Sequence, residues 1–110
     1  MWGTNTLVSN RHLWPFIKKG MDRDATLVVI DPVKTKTAQR ADLHIAPRPG
    51  TDGALAMGVM QALVEMGGID KDYLKARTLG WEEFQSRVLS NYTADLTAQL
   101  CGVTDRKSVV

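Results

Sequence analysis

The sequence predicts an α/β protein: part of an open parallel sheet, of Rossmann-like or flavodoxin-like three-layer type, with a helical C-terminal part. Three observations carry this reading. The run "ATLVVID" (Ala25–Asp31) is short, rich in β-branched residues and bounded by Asp24 and Pro32. A continuous apolar run of that length reads as a strand covered on both faces, which points to a parallel sheet. A second short strand, "LHIAP" (Leu43–Pro47), follows a polar crossover, and from Thr51 onward the apolar pattern is helical.

The elements follow in order. "WGTN" (Trp2–Asn5) has the turn formers Gly3, Thr4 and Asn5 and reads as a loop that leaves a strand and enters a helix. Only Met1 and Trp2 represent that strand, so its body is expected upstream of residue 1 and the domain is expected to be incomplete. "NRHLWPFIKKGM" places Leu13, Phe16 and Ile17 at helical spacing, with Pro15 in the first turn and Gly20 as the stop. The crossover "PVKTKTAQRAD" is polar, with one helical turn. Its charge run reads as solvated, and Lys34 and Arg40 are the residues in it that could touch phosphate.

The longest helix opens at "TD", where Thr51 or Asp52 can cap it. Leu55, Val59, Ala62, Leu63 and Met66 form its apolar stripe, which ends at Gly67. Three shorter amphipathic helices follow in "DKDYLKART", "WEEFQSRVLS" and "TADLTAQLCG", the last with Thr93 as N-cap and Gly102 as stop. No internal repeat, low-complexity linker or interior domain boundary interrupts the chain.

Composition narrows the function classes. With 110 residues, 44% hydrophobic and 24% charged, the chain fits one ordinary soluble domain or part of one. A net charge of +2 is too small to argue for nucleic acid or an anionic membrane. A single cysteine, Cys101, excludes an internal disulfide and a Cys-rich metal cluster, and its place beside Leu100 near a helix end reads as a buried apolar residue. No apolar run approaches the roughly 20 residues of a membrane span. The first residues lack the order of a secretory signal. A cytoplasmic location is expected, with a periplasmic one left open by the expected missing start.

Three loops bear the same relation to their strands. "WGTN" leads into a helix, "IDP" (Ile30–Pro32) ends a buried strand, and "PRPGTD" (Pro47–Asp52) ends another and opens a helix. The carboxyl ends of parallel strands share one edge, where ligands bind, so the three loops are expected to converge. Gly3 and Gly50 permit close backbone approach, and helix N-termini favour phosphate. Asp31 and Asp52 are acceptors suited to ribose hydroxyls or to the N–H edge of a guanine. Each piece alone also has an ordinary reading: a strand-ending turn at Asp31-Pro32 and a helix cap at Asp52. No GxGxxG or GxxxxGK[ST] loop is present. His12 and His44 have no ligand-spaced partner, and His44 reads as a satisfied sheet-face histidine.

Taken together and in this order, the motifs resemble the molybdopterin oxidoreductase family, which includes dimethyl sulfoxide reductase and formate dehydrogenase relatives. They stand here as Trp2-Gly3-Thr4-Asn5, Asp31-Pro32, Ala41-Asp42 with His44, and Pro49-Gly50-Thr51-Asp52 with Ala54-Leu55. Gly80-Trp81-Glu82-Glu83-Phe84 and Tyr92-Thr93 extend the likeness, which covers roughly residues 1 to 103. The resemblance implies part of the α/β domain that holds a molybdopterin guanine dinucleotide carrying molybdenum or tungsten. It implies Gly3 and Asn5 near the phosphate-linked portion, Ile30 and Asp31 at the ribose or guanine end, and Pro47, Gly50 and Asp52 framing the guanine.

In two places the sequence departs from the family. Val8 stands where some relatives have an acid, and Val33 stands where many have Arg after "DP". The family's metal ligand and any iron–sulfur motif lie upstream of the "WGxN" loop, so no catalytic or metal-binding residue is expected in this chain. The implied partners are the cofactor and the remaining domains of a parent chain, with no nucleic acid and no membrane segment. The rival reading is a stand-alone flavodoxin-like nucleotide-binding or signalling domain. Residues 104–110 do not fit the pattern. One codon choice for "DRKSVV" spells a common sequencing adapter, and the tail is expected to be artefactual.

Overall fold

The computed structural model describes residues 1–103; the expectation about the tail falls outside them. The chain divides into two compact units, Met1–Pro47 and a second that begins at Arg48.

In the first unit a short helix α1 (Thr6–Ser9) and helix α2 (Trp14–Met21) precede strand β1 (Val28–Ile30). A 3-10 turn at Ala38–Arg40 then leads to strand β2 (Leu43–Ile45). β1 and β2 pair in parallel with Val28 opposite Leu43, Val29 opposite His44 and Ile30 opposite Ile45. Trp2 forms a parallel bridge to Ile30 on the other side of β1. Ile30 N–H donates to the Met1 carbonyl and Gly3 N–H to the Ile30 carbonyl, both at 2.8 Å. Met1 and Trp2 therefore lie alongside β1 in parallel, joined to it by one bridge rather than as a full strand.

Leu27, Val29 and Ala38 form the core of this unit, with Met1, Trp14, Ile17, Met21 and Ala41 packed against it. Pro15 lies in the first turn of α2, where its missing N–H costs nothing. In this unit four expectations need correcting. Gly20 does not stop α2: the helix runs to Met21, and the left-handed residue is Asp24 at φ 65°. Phe16 is 74% exposed, so only part of the predicted stripe faces the core. Val28 and Ile30 are half-buried, so within this structure β1 is fully covered only at Val29. The crossover is solvated at Lys34 and Lys36 but not throughout, because Thr37 and Ala38 are buried.

The second unit is helical: α3 (Asp52–Glu65), α4 (Lys71–Arg77), α5 (Trp81–Arg87), a 3-10 turn (Leu89–Asn91) and α6 (Ala94–Cys101). α3 packs against α6 and against the 3-10 turn, burying Leu55, Leu89, Thr97 and Cys101. The expected stripe on α3 is displaced. Leu55 is buried, but its companion is Gly58, while Leu63 and Met66 are exposed. A Cβ built on Gly58 would collide with Cγ2 and Oγ1 of Thr97 and stand 2.7 Å from its Cβ, so α6 approaches α3 where a side chain is absent.

Caps behave locally as their chemistry predicts. Thr93 accepts a hydrogen bond from Leu96 N–H, Asp70 accepts one from Tyr73 N–H, and Gly102 closes α6 at φ 67°. Thr51 is the N-cap position of α3, with Asp52 inside the first turn. The Thr51 hydroxyl makes no cap bond and donates instead to the Arg48 carbonyl at 2.7 Å.

Candidate functional site

In the first unit the ends of three parallel segments lie at one sheet edge: Gly3 after Trp2, Asp31 after β1, and Ala46-Pro47 after β2. Gly3 has φ +60°, and a side chain built on it meets nothing within 4 Å. The turn demands glycine there, and the open space leaves its backbone approachable. Ile30, half-buried, places its carbonyl on Gly3 and so sets the spacing of the first two loops.

Asp31 is held from several sides. Its N–H donates to the Ile45 carbonyl at 3.0 Å, and its Oδ1 accepts from Val33 N–H at 2.8 Å, an Asx-turn through Pro32. Nε2 of His44 lies 2.8 Å from the Asp31 carbonyl. A carbonyl can only accept, so Nε2 carries the proton and the imidazole is a satisfied donor. Oδ2 of Asp31 has no hydrogen bond among the described residues and remains an acceptor. Pro47 is buried at the end of this unit.

Asn5 occupies the N-cap position of α1 without a side-chain cap bond. Its Oδ1 accepts from the Thr37 hydroxyl at 2.9 Å. Lys36, Gln39, Arg40 and Leu7 line a cavity beside this connection.

The "PRPGTD" turn lies in the second unit and is tied to the end of α6. Arg48 N–H donates to the Cys101 carbonyl at 2.8 Å, and its guanidinium donates to the Gln99 carbonyl at 3.1 Å. The Cys101 thiol, fully buried, donates to the Thr51 carbonyl at 3.6 Å. Thr51 N–H closes the turn onto the Arg48 carbonyl at 3.1 Å. Gly50 at φ +84° again has open space where a side chain would stand. Asp52 is an exposed first-turn acid of α3, in favourable alignment with the helix dipole. Sequence reasoning missed Thr37 and Arg48. Thr37 lies outside the quoted motifs, and Arg48 is a position inside "PRPGTD" that the family likeness leaves open. The Thr37 proton and the Arg48 guanidinium act on partners more than 30 residues away.

The protein-family model for molybdopterin oxidoreductase matches residues 1–107. The chain belongs to that family. It is 34% identical over 97 residues to the assimilatory nitrate reductase catalytic subunit of Bacillus subtilis, covering 88% of this chain and 14% of that protein. It is 31% identical over 108 residues to the F420-dependent formate dehydrogenase subunit alpha of Methanocaldococcus jannaschii, covering 98% of this chain and 16% of that one. Among solved structures, acetylene hydratase from Pelobacter acetylenicus superposes with a TM-score of 0.83 at 27% identity, over 97% of this chain and 15% of the hydratase. The chain thus spans about one-seventh of the length of these molybdopterin-family relatives. The α/β class, the parallel sheet and the helical C-terminal part all agree with the family fold.

Among the described residues no group of three or more His, Cys, Asp or Glu could hold a metal ion. No helix among them is long and apolar enough to cross a membrane.

Proposed function

We propose that this chain is the part of a molybdenum- or tungsten-dependent oxidoreductase that binds the nucleotide end of a bis-molybdopterin guanine dinucleotide cofactor. Two approachable positive-φ glycines support this, Gly3 and Gly50, each beside an acid that can accept from a nucleotide. The residues fit such a group. Gly3 and Asn5 would meet its phosphate-linked portion, and Asp31 Oδ2, with Ile30 before it, a ribose hydroxyl. Pro47, Gly50 and Asp52 would meet the guanine, with Asp52 accepting from the N–H edge.

The relatives' names favour a cofactor role over a substrate role. They name nitrate, formate and acetylene, so a segment alike in all three is suited to what they share. When bound, the organic cofactor supplies the dithiolene sulfurs that hold the metal, where electrons or an oxygen atom are transferred. This chain's residues bind and orient; none is assigned a catalytic role. Any iron–sulfur cluster, and the electron-transfer partner, would belong to other parts of the enzyme. The stand-alone flavodoxin-like reading has no specific observation in its favour.

The test is cofactor analysis of the full-length polypeptide that carries this sequence. Purified from a host that makes the cofactor, it should contain molybdenum or tungsten and release guanine nucleotide on acid hydrolysis. Metal without guanine nucleotide would overturn the nucleotide-binding assignment.

A further inference from the structure

The buried Thr37 hydroxyl has a role that the motif reading does not give it. Thr37 is 0% exposed, and its Oγ1 lies between two groups. Leu7 N–H donates to it at 3.0 Å, and it donates to Asn5 Oδ1 at 2.9 Å. A hydroxyl has one proton. The Leu7 amide can only donate, so that proton goes to Asn5, and the asparagine must present Oδ1 rather than Nδ2. With the amide flipped, the Thr37 proton would be buried without an acceptor, which native structures rarely tolerate. The Asn5 amide is therefore fixed in one of its two orientations.

What that orientation leaves over is Nδ2, whose two N–H groups have no partner among the described residues. Asn5 does not cap α1 with its side chain, so capping does not account for it. The donors sit two residues from the approachable backbone of Gly3. The cavity beside Leu7 is lined by Lys36 and Arg40, and neither forms an ion pair among the described residues. Donors without acceptors and cations without counter-ions together suit an anion.

We infer that Thr37 is the positioning residue that locks the Asn5 amide, so that its N–H groups donate to a phosphate oxygen of the bound nucleotide. This rests on the nucleotide-binding reading above. It adds which atom of Asn5 faces the ligand, and what holds it there.

The experiment uses the full-length polypeptide. Guanine nucleotide and metal per purified chain are measured alongside the melting temperature of the cofactor-free form. Asn5→Asp keeps an oxygen for the Thr37 proton but turns a carboxylate oxygen toward the ligand. Cofactor content should fall about tenfold with the melting temperature unchanged, consistent with loss of a charge-assisted hydrogen bond. Thr37→Ser should retain the cofactor and Thr37→Val should lose it.

Because Thr37→Val also strips the Leu7 amide of its partner, a cycle separates the two roles. In an Asn5→Ala background, Thr37→Val should cost no further cofactor, whereas a purely structural threonine would cost the same in both backgrounds. Full cofactor content in Asn5→Asp, or an undiminished Thr37→Val effect in Asn5→Ala, overturns the inference while leaving the nucleotide reading intact. A wild-type protein with metal but no guanine nucleotide overturns both.

Discussion

Replacing Gly58 with alanine sets two known effects against each other in one methyl group. In an exposed helix interior the change gains up to about 1 kcal/mol, because glycine loses more backbone entropy on ordering. Here the new Cβ would collide with the Thr97 side chain and stand 2.7 Å from the Thr97 Cβ. Side-chain rotation removes the first contacts but not the last, since Cβ moves only with the backbone of α6. Overpacking of this kind costs roughly 1–3 kcal/mol. Contacts this short put the cost in the upper half of that range, so the balance is a destabilisation of about 1–2 kcal/mol, or roughly 5–30-fold in the local opening equilibrium.

Hydrogen exchange of peptides covering α3 and α6 reads this directly, as exchange faster by that factor in Gly58→Ala. Thr97→Ala in the same background removes Cγ2 and Oγ1 and should recover part of the loss, a coupling of about 0.5–3 kcal/mol. Thr97 alone gives an internal control. Its buried Oγ1 has no partner among the described residues, so Thr97→Val should leave protection equal or higher. Exchange in Gly58→Ala equal to or slower than wild type would mean that the helices have room to part, and that the close approach does not hold them together.

Two further substitutions test the second unit. Gly102→Ala forces a side chain into left-handed backbone at φ 67° and sets its Cβ 2.8 Å from Arg48 Nε. It should cost about 1–2 kcal/mol and speed exchange at the end of α6. Asp52→Asn in the full-length polypeptide exchanges an acceptor oxygen for a donor while altering the first turn of α3 by less than about 1 kcal/mol. Guanine nucleotide content should drop, with the melting temperature of the cofactor-free form close to wild type, and unchanged content would confine Asp52 to its service at the helix start.

What the sequence made legible is what depends on neighbours along the chain. Thr93 and Gly102 act within one helical turn, and Pro15 within one residue, so their roles follow from residue type. Two strands and their order were readable because β-branched runs between turn formers leave few alternatives. The α3 stripe was misjudged because hydropathy gives a glycine no weight, whereas Gly58 contributes to packing by what it lacks. Residue type points to a stop at Gly20, because glycine is the usual left-handed residue, but Asp24 takes that conformation here.

At the candidate site, Gly3 and Gly50 were recognisable from their turns. Thr37 was not, since a threonine inside "KTKTAQR" looks solvated until Asn5, 32 residues away, accepts its hydrogen bond.

The tie between Arg48 and the end of α6 also sets a timetable. The guanidinium reaches a carbonyl 51 residues further along the chain, and the Thr51 carbonyl receives its thiol from 50 residues away. A turn held in this way cannot take its final form as it leaves the ribosome. At roughly 5–20 residues per second, its anchors are synthesised about 3–10 s later. Until then the turn around Gly50 lacks those anchors, and closing so long a loop carries an entropic cost that the contacts of the completed helical unit offset. Whatever this turn grips, it can grip only after the chain has been made through Gly102.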